Sequence, residues 1–451
     1  MLDIKDKVEY FNNLRPIFHY SCRRGWMNDP NGLIFYRGYY HLFYQHCPDR
    51  TVHGPMHWGH ARSRDLIHWE ELPIALFPDK NGTIFSGSIV YDEENSSGFG
   101  SDKSDPLVAI FTHNKETQGI TRQYQSLAYS LDNGNTFEKF SGNPVLDMRM
   151  KDFRDPKVIR YRNKWIMLTA AGQSILIFSS DNLKDWKKES SFFTGDLEKN
   201  EIWECPDLIR FSDKYGNERW VLIVSQNTLD YKKTGVRYFV GRFNGTDFFD
   251  NTGKRTLWLD FGRDDYAAAT FAELQGKYIQ LGWMNCWAYA QILPEKGFRG
   301  SMTLPKQLIL EEVENCPILI QKPADEVMKE IGIVELNSGK WSGEIMIGAF
   351  LINMENDRGR INFTNGMENI LIGIDYTKGE ISVDRSGCSK PEWGNEFGEV
   401  RKAKFTRLDD RQLLVVVDTT SIEIFAAGGE ICGTFLYFVE RPFSEIEVGG
   451  I

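Results

Sequence analysis

Three acidic residues of the chain stand in similar surroundings, because a proline follows each of them directly or after one residue. They are Asp29, Asp155 and Glu204. Proline restricts the backbone around it, so each carboxylate is expected at a fixed bend of the chain. Two carboxylates can cleave a glycosidic bond when one stays ionised and the other is protonated at neutral pH. The residue types are therefore those that glycoside hydrolysis requires.

The neighbours of the acids suggest how the roles are divided. Asp29 follows the amide of Asn28 in a glycine-flanked segment, which is expected to form a turn and to favour the ionised carboxylate. Glu204 has apolar neighbours in the chain, which are expected to favour its protonated form. Arg154 is expected to keep the adjacent Asp155 ionised while both bind sugar hydroxyls.

Two other interpretations of the acids are less favoured. Ordinary turn carboxylates are the first alternative, but acids that converge raise one another's pKa, a cost that proteins rarely keep without a use. A metal site is the second, and it is less favoured because no histidine accompanies the acids. His57 and His60 are three residues apart on an expected strand or loop, where packing is the better explanation. No metal and no organic cofactor is therefore expected.

The acids must be positioned by a repeated strand unit. A turn rich in Gly, Asn or Lys followed by an aromatic or apolar strand recurs at residues 37–43, 106–111, 163–168, 217–223 and 275–281. Long amphipathic helices are absent from the pattern before residue 310, and a repeat of this kind in an all-β chain predicts a five-bladed β-propeller. A polar motif precedes each repeated strand, so the three acids are expected to meet at one end of the propeller axis.

The sequence changes character after residues 304–306. Strands of period two joined by tight turns follow, as at residues 369–375, 380–384 and 412–418. Short antiparallel strands at this spacing predict a β-sandwich. We therefore expect an all-β chain with a catalytic propeller at residues 1–312 and a β-sandwich at residues 313–451.

The composition favours a neutral ligand. The net charge of −10, together with 12 Trp, 18 Tyr and 30 Phe, disfavours nucleic acid and anionic membranes as partners. No apolar run approaches the roughly 20 residues of a membrane span. The seven scattered cysteines indicate neither a disulfide framework nor a zinc site, and the first residues do not form a signal peptide. A cytoplasmic location is therefore expected.

Seven motifs extend this picture along the chain. They are Trp-Met-Asn-Asp-Pro-Asn-Gly (26–32), Phe-Tyr-Gln (43–45), His-Trp-Gly-His-Ala (57–61), Phe-Ser-Gly-Ser (85–88), Arg-Asp-Pro-Lys-Val (154–158), Trp-Glu-Cys-Pro-Asp (203–207) and Asp-Tyr-Ala-Ala-Ala-Thr-Phe (265–271). In this order they resemble glycoside hydrolase family 32, which contains invertases, levanases, inulinases and sucrose-6-phosphate hydrolases. The resemblance covers nearly the whole chain.

The resemblance implies a role for each residue of the motifs. Asp29 would be the nucleophile of a retaining mechanism, Glu204 the acid/base and Asp155 the stabiliser of the transition state. A fructose subsite would be lined by Asn28, Gln45, Phe85, Ser86, Arg154, Tyr266 and Trp283. Trp58 would be either a further substrate contact or a structural residue.

The resemblance also implies the activity of an exo-β-fructofuranosidase, which removes terminal fructose from levan, inulin or sucrose. A sucrose-6-phosphate hydrolase and a fructosyltransferase are the alternatives within the family, and a non-catalytic sugar-binding propeller is the alternative outside it. His53 stands where many members carry a tryptophan, so the leaving-group subsite is expected to depart from theirs. The sandwich is expected to support the propeller and to offer a surface for a homodimer, with glycan binding as the alternative.

Overall fold

The computed structural model describes residues 3–101, 104–195, 200–212, 216–228, 230–231, 233–253, 255–313 and 316–450. Strands dominate these residues. Two short α-helices occur among them, α1 (Ile4–Asn12) and α2 (Asp325–Ile331), with 3-10 turns at Ser386–Cys388, Pro391–Trp393 and Ala427–Gly429. Within the described ranges no helix is long and apolar enough to cross a membrane.

Five sheets follow one another along the first two thirds of the chain. The first contains β1 (Gly25–Tyr36), β2 (Tyr39–Cys47), β3 (His57–Ser63) and β4 (Trp69–Leu76). The second contains β5 (Thr83–Tyr91), β6 (Leu107–Thr117), β7 (Ile120–Ser130) and β8 (Glu138–Lys139). The third contains β9 (Arg154–Tyr161), β10 (Lys164–Ala171), β11 (Ser174–Ser180) and β12 (Lys187–Phe192).

The fourth and fifth sheets complete this part of the chain. The fourth contains β13 (Glu201–Ser212), β14 (Glu218–Thr228), β15 (Gly235–Phe243), β16 (Phe248–Asp250) and β17 (Leu257–Trp258). The fifth contains β18 (Tyr266–Thr270), β19 (Tyr278–Trp283), β21 (Lys306–Val313) and β22 (Cys316–Pro323). Between β19 and β21, the short β20 (Phe298–Arg299) pairs in parallel with β1 of the first sheet. The boundary predicted at residue 312 lies inside β21, which pairs with β22, so the fifth sheet runs past that boundary to Pro323.

The first strands of the five sheets touch in a closed order. β1 contacts β5, β5 contacts β9, β9 contacts β13, β13 contacts β18, and β18 contacts β1 again. A small cavity of about 30 Å³ is lined by residues of all five strands. We call these five the inner strands, because the remaining strands of each sheet lie outside them. A propeller has this arrangement of sheets around a shared axis.

The remaining strands form a β-sandwich. In chain order they are β23 (Ile333–Leu336), β24 (Gly339–Ser342), β25 (Gly348–Asn353), β26 (Arg358–Thr364), β27 (Asn369–Asp375), β28 (Glu380–Asp384), β29 (Arg401–Lys404), β30 (Gln412–Val417), β31 (Ser421–Ala426), β32 (Ile431–Leu436) and β33 (Glu445–Gly450). One sheet has the order β23-β25-β30-β31-β32 and the other β24-β33-β26-β27-β28-β29. Every second residue of β27 is buried, as a strand with one face on a core requires. The prediction of an all-β propeller followed by a sandwich is confirmed.

The segment before β1 lies against the sandwich. Phe11 of α1 packs with Ile345 and Ile347, which belong to the second domain. The backbone N–H groups of Ile17 and Phe18 donate to the carboxylate of Asp418 at 2.8 Å each. The two domains are therefore joined both by the segment that leads into the propeller and by the segment that leaves it.

Candidate active site

Asp29 lies in a strand rather than on the turn that the sequence predicts. Its strand, β1, continues through Pro30, and the pairing with β2 shifts register between Met27 and Pro30. The four other inner strands shift at the corresponding polar motif, at residues 84–87, 154–157, 204–207 and 266–269. A bulge of this kind bends the strand and re-aims its side chains. The polar motifs therefore point into the end of the propeller axis from equivalent positions.

The bulges also hold three residues in a left-handed backbone conformation. Asp155 has a φ of 61°, Cys205 of 46° and Ala267 of 54°. Residues other than glycine seldom adopt this conformation, and it persists where surrounding structure enforces it, which is common at functional sites. The strain thus falls on the inner strands that bring the acids together.

The carboxylate of Asp29 is held by two side chains. The hydroxyl of Ser86 donates to Oδ2 at 2.6 Å, and Nδ2 of Asn28 donates to Oδ1 at 2.9 Å. The indole N–H of Trp26 fixes Asn28 in turn by donating to its Oδ1 at 2.7 Å. Burial raises the pKa of Asp29 above its ordinary value, while the hydrogen bonds from Ser86 and Asn28 and the nearby charge of Glu204 act in opposite directions on it. Each of the two carboxylate oxygens of Asp29 therefore has its own hydrogen-bond donor.

Asp155 is the most buried of the three acids. The backbone N–H of Cys205 donates to its Oδ2 at 3.0 Å, and the Cys205 Sγ lies 3.5 Å from the same oxygen. That sulfur is also 3.6 Å from Oδ2 of Asp29, so it lies between two carboxylates. Burial raises the pKa of Asp155 to about 7, although the positive charge of Arg154 opposes the rise. Near neutral pH this carboxyl is therefore only partly ionised.

Glu204 is surrounded by polar side chains, and the predicted apolar surroundings are wrong. Nε of Arg154 donates to Oε1 at 3.0 Å, and the hydroxyl of Tyr266 donates to Oε2 at 2.6 Å. Successive side chains of a strand point to opposite faces, so Trp203 packs away from the site against Phe192. The sequence neighbours of Glu204 are therefore not its spatial neighbours.

Arg154 serves Glu204 more closely than Asp155. Its guanidinium lies 3.0 Å from Glu204, 2.9 Å from Asp152 and 4.0 Å from Asp155. The prediction that Arg154 keeps Asp155 ionised is wrong, because the cation is shared among three acids and burial of Asp155 outweighs it. The arginine instead fixes the orientation of the Glu204 carboxylate.

The predicted sugar-binding residues separate into two groups. The structure places Asn28, Ser86, Arg154 and Tyr266 in contact with the acids. Gln45, Trp58 and Trp283 lie below the surface of the site and are buried. Gln45 donates to Asn31 at 2.8 Å, and the indole N–H of Trp58 donates to the carbonyl of Phe85 at 3.0 Å. Trp58 thus supports the backbone of Phe85, whose own ring is partly exposed.

One wall of the site is aromatic and includes residues that the sequence did not assign. Trp287 is partly exposed and stacks on Trp26 with 6.0 Å between ring centroids. Tyr231 lies 6.4 Å from Trp287 on the outer side. The signal for Trp287 was its place four residues after Trp283 in an aromatic loop, whereas Tyr231 stands in a polar segment that carries no such signal.

His53 takes its place in the same wall. Its ring centroid lies 5.6 Å from that of Trp287 and 6.1 Å from that of Phe85. Burial lowers the pKa of His53, and the charge of Glu204 opposes that effect. His53 therefore borders the site on the side of Glu204.

The arrangement defines the chemistry of the site. Three carboxyl groups, one guanidinium and one phenol meet in a recess at the end of the axis, beside an aromatic wall suited to sugar rings. One carboxylate can attack while a second exchanges a proton with the departing oxygen. These features are those of a glycoside hydrolase.

Comparison with known proteins agrees with this class. Residues 19–323 match the N-terminal domain of glycosyl hydrolases family 32, and residues 348–448 match the C-terminal domain of the same family. A levanase from Bacillus subtilis (strain 168) is 37% identical over 478 residues, covering 99% of this chain and 69% of the levanase. An extracellular exo-inulinase from Aspergillus awamori is 32% identical, covering 95% of this chain and 90% of the inulinase. The chain belongs to glycosyl hydrolase family 32.

Solved structures show the same architecture. The crystal structure of exo-inulinase from Aspergillus awamori superposes with a TM-score of 0.83 at 30% identity, covering 97% of this chain and 95% of that one. A fructofuranosidase from Schwanniomyces occidentalis complexed with fructose gives a TM-score of 0.83 at 30% identity, covering 97% of this chain and 94% of that one. Both comparisons span the propeller and the sandwich together.

Proposed function

We propose that this chain is a retaining exo-β-fructofuranosidase, which releases terminal fructose from fructans and sucrose. The observation that carries the proposal is the convergence of Asp29, Asp155 and Glu204 on one recess, with a separate set of donors on each acid. The names of the similar proteins, levanase and exo-inulinase, supply the substrate class.

Asp29 is the proposed nucleophile. Ser86 and Asn28 each donate to one of its oxygens and favour the ionised form. Attack of a carboxylate oxygen on the anomeric carbon of fructose forms a fructosyl ester and breaks the bond to the glycosidic oxygen. The two hydrogen bonds hold the carboxylate in one orientation, so the attack pays little additional ordering entropy.

Glu204 is the proposed acid/base. In the first step its carboxyl proton moves to the departing glycosidic oxygen, and in the second its carboxylate takes a proton from the water that opens the ester. Tyr266 and Arg154 hold its two oxygens, so the carboxyl keeps one orientation through both steps. The configuration at the anomeric carbon is retained, because two displacements occur in succession.

Asp155 is the proposed ligand of the fructose hydroxyls. Its carboxyl lies between the backbone N–H of Cys205 and the charge of Arg154. Because its pKa lies at about 7, it can donate a hydrogen bond to one hydroxyl and accept from another near neutral pH. These bonds would tighten as positive charge develops on the fructosyl ring.

A product profile tests the proposed function. Levan, inulin, sucrose and sucrose 6-phosphate are each incubated with the purified protein and with Asp29→Asn, and products are followed by chromatography. Fructose accumulating alone from a fructan is expected for exo-hydrolysis, and longer fructosides would show transfer to sugar instead. Turnover of sucrose 6-phosphate alone, or of no substrate at all, would contradict the proposal.

The remaining expectations about partners stay predictions. The sequence predicts a cytoplasmic protein, no nucleic acid or membrane partner, and a homodimer formed through the sandwich. Fractionation of cells that produce the protein measures its location. Sedimentation velocity of the purified protein measures its oligomeric state.

A further inference from the structure

A cluster of charged side chains is buried where the propeller meets the sandwich. Nζ of Lys306, at the start of β21, lies 2.8 Å from Oδ2 of Asp265 and 3.2 Å from Oε2 of Glu423. All three side chains are completely buried. Asp265 directly precedes β18 of the propeller, whereas Glu423 belongs to β31 of the sandwich. Lys306 therefore joins an acid of one domain to an acid of the other.

His19 holds Glu423 from the opposite side. Nε2 of His19 lies 3.0 Å from Oε1 of Glu423, and Nδ1 lies 2.7 Å from Oδ2 of Asp418. Burial opposes a charge on His19, but its bonds to the two acids prevail and raise its pKa to about 9. The backbone N–H of Leu304 also donates to Oε1 of Glu423, at 2.7 Å. Glu423 is thus fixed by two cations and one amide.

The cluster continues into the active site through the main chain. Asp265 is followed by Tyr266, whose hydroxyl donates to Oε2 of Glu204 at 2.6 Å. The space around Asp265 is full, since a Cβ atom on Gly282 would lie 1.9 Å from its Oδ1. A shift of Lys306 would therefore move Asp265 and, with it, the backbone that carries Tyr266.

A second ion pair repeats this arrangement one residue earlier. Arg385 of the sandwich donates to Oδ2 of Asp264 and, at 2.9 Å, to the hydroxyl of Tyr289. Both Arg385 and Asp264 are buried. Charged residues of the sandwich thus hold the two residues directly before Tyr266, Arg385 by contact with Asp264 and Glu423 through Lys306.

The energetic cost of these ions favours a positional role. Burial of an ion pair carries a large desolvation cost, and a well-packed apolar contact of the same size would often join two domains at least as stably. In some proteins buried polar or ionic groups fix register and conformation rather than add stability. The cluster is therefore better explained by the position that it imposes than by the stability that it contributes.

We propose that Glu423 of the sandwich is a positioning residue for Glu204, acting through Lys306, Asp265 and Tyr266. The inference rests on the proposed function, in which Glu204 exchanges protons with the substrate. It assigns to the sandwich a part in turnover, although Glu423 itself touches no reacting atom.

A double-mutant cycle on the full-length protein tests the inference. Glu423→Gln keeps the shape of the side chain and removes the charge that Lys306 faces. Tyr266→Phe removes only the hydroxyl that holds Glu204. The matched control is Ile424→Val, one residue along β31, because Ile424 points to the opposite face into the sandwich core. Steady-state kcat and KM on inulin are measured for the wild type, the three single variants and Glu423→Gln/Tyr266→Phe.

The expected result is a selective loss of turnover. Glu423→Gln should lower kcat by about 3- to 30-fold, the change that corresponds to typical coupling energies between residues in contact. The KM should stay within about twofold of the wild-type value. Ile424→Val should leave both constants unchanged, although it removes one methyl group from the sandwich core. In the Tyr266→Phe background, Glu423→Gln should have little further effect, because the link to Glu204 is already broken.

Three results separate failure of the inference from failure of the proposed function. An unaltered kcat in Glu423→Gln would overturn the positioning role, as would a loss that is equally large with and without the Tyr266 hydroxyl. No turnover by the wild type would overturn the proposed function itself. If Glu423→Gln does not fold, Thr434→Val replaces it, since Oγ1 of Thr434 in the sandwich lies 3.1 Å from Nζ of Lys306. A kcat unchanged in that variant would then overturn the inference.

Discussion

Asp155→Asn is expected to abolish turnover and yet to stabilise the folded protein at neutral and alkaline pH. Burial raises the pKa of Asp155 from 3.8 to about 7, so the folded state binds this proton more tightly than the unfolded state. The folded protein therefore loses stability through this group as the pH rises from about 4 to about 7. Asparagine carries no charge at any of these pH values and escapes the loss.

The magnitude follows from the interval over which the proton is lost. Between pH 5 and a pKa of about 7 there are two pH units, each worth about 1.4 kcal/mol. Relative to the wild type, Asp155→Asn should gain about 2–3 kcal/mol in free energy of unfolding between pH 5 and pH 8. The asparagine retains an oxygen that can accept from the N–H of Cys205, so this backbone contact is preserved.

Urea unfolding at pH 5, 6, 7 and 8, followed by tryptophan fluorescence, measures the difference. Asp152→Asn is the matched control, because Asp152 also binds Arg154 but its side chain is 40% exposed. Because it keeps Asp155, that control should lose stability with rising pH as the wild type does. A stability difference between Asp155→Asn and wild type that stays constant with pH, or that grows toward acid, would refute the reasoning.

Three further outcomes are expected. Asp29→Ala and Glu204→Gln should each lower turnover of inulin by at least ~10³-fold, because nucleophile and acid are both indispensable, and near-normal rates in either would reject the assignment. Gly282→Ala should lower the melting temperature measured by calorimetry, since its Cβ would lie 1.9 Å from Asp265, and an unchanged melting temperature would contradict the close packing. Burial lowers the pKa of His41 to about 4, so the folded protein should lose stability as the pH falls from about 6.5 toward 4. His41→Gln should reduce that loss in urea midpoints, and an equal loss in both proteins would count against it.

The convergence of the acids could be predicted because each stands at the same place in its repeat. Propeller repeats are copies of one structural unit, so equivalent positions along the sequence become equivalent positions around the axis. The sequence did not reveal that the motif at Asp29 is a bulged strand, since its proline and flanking glycines predict a turn. The strand continues because a bulge accommodates a residue that has no N–H to donate.

The partners of each acid could not be predicted from its neighbours in the chain. Glu204 follows Trp203, but alternation of side chains along β13 sends the two to opposite faces. The buried cluster at the domain joint carried no local signal either, because His19, Lys306 and Glu423 each lie more than about a hundred residues from the next in the chain. Such contacts depend on the register between domains, which a single sequence does not state.

The dependence of Lys306 on Glu423 has a consequence for the synthesis of the chain. The five sheets of the propeller are complete at Pro323, and nascent domains generally fold as units in the order in which they are made. If Glu423 is a positioning residue, Lys306 of the propeller lacks its contact with Glu423 until β31 has left the ribosome. A chain that ends within the sandwich before β31 would lack Glu423, so on the proposed role it would turn over substrate more slowly than the full-length protein.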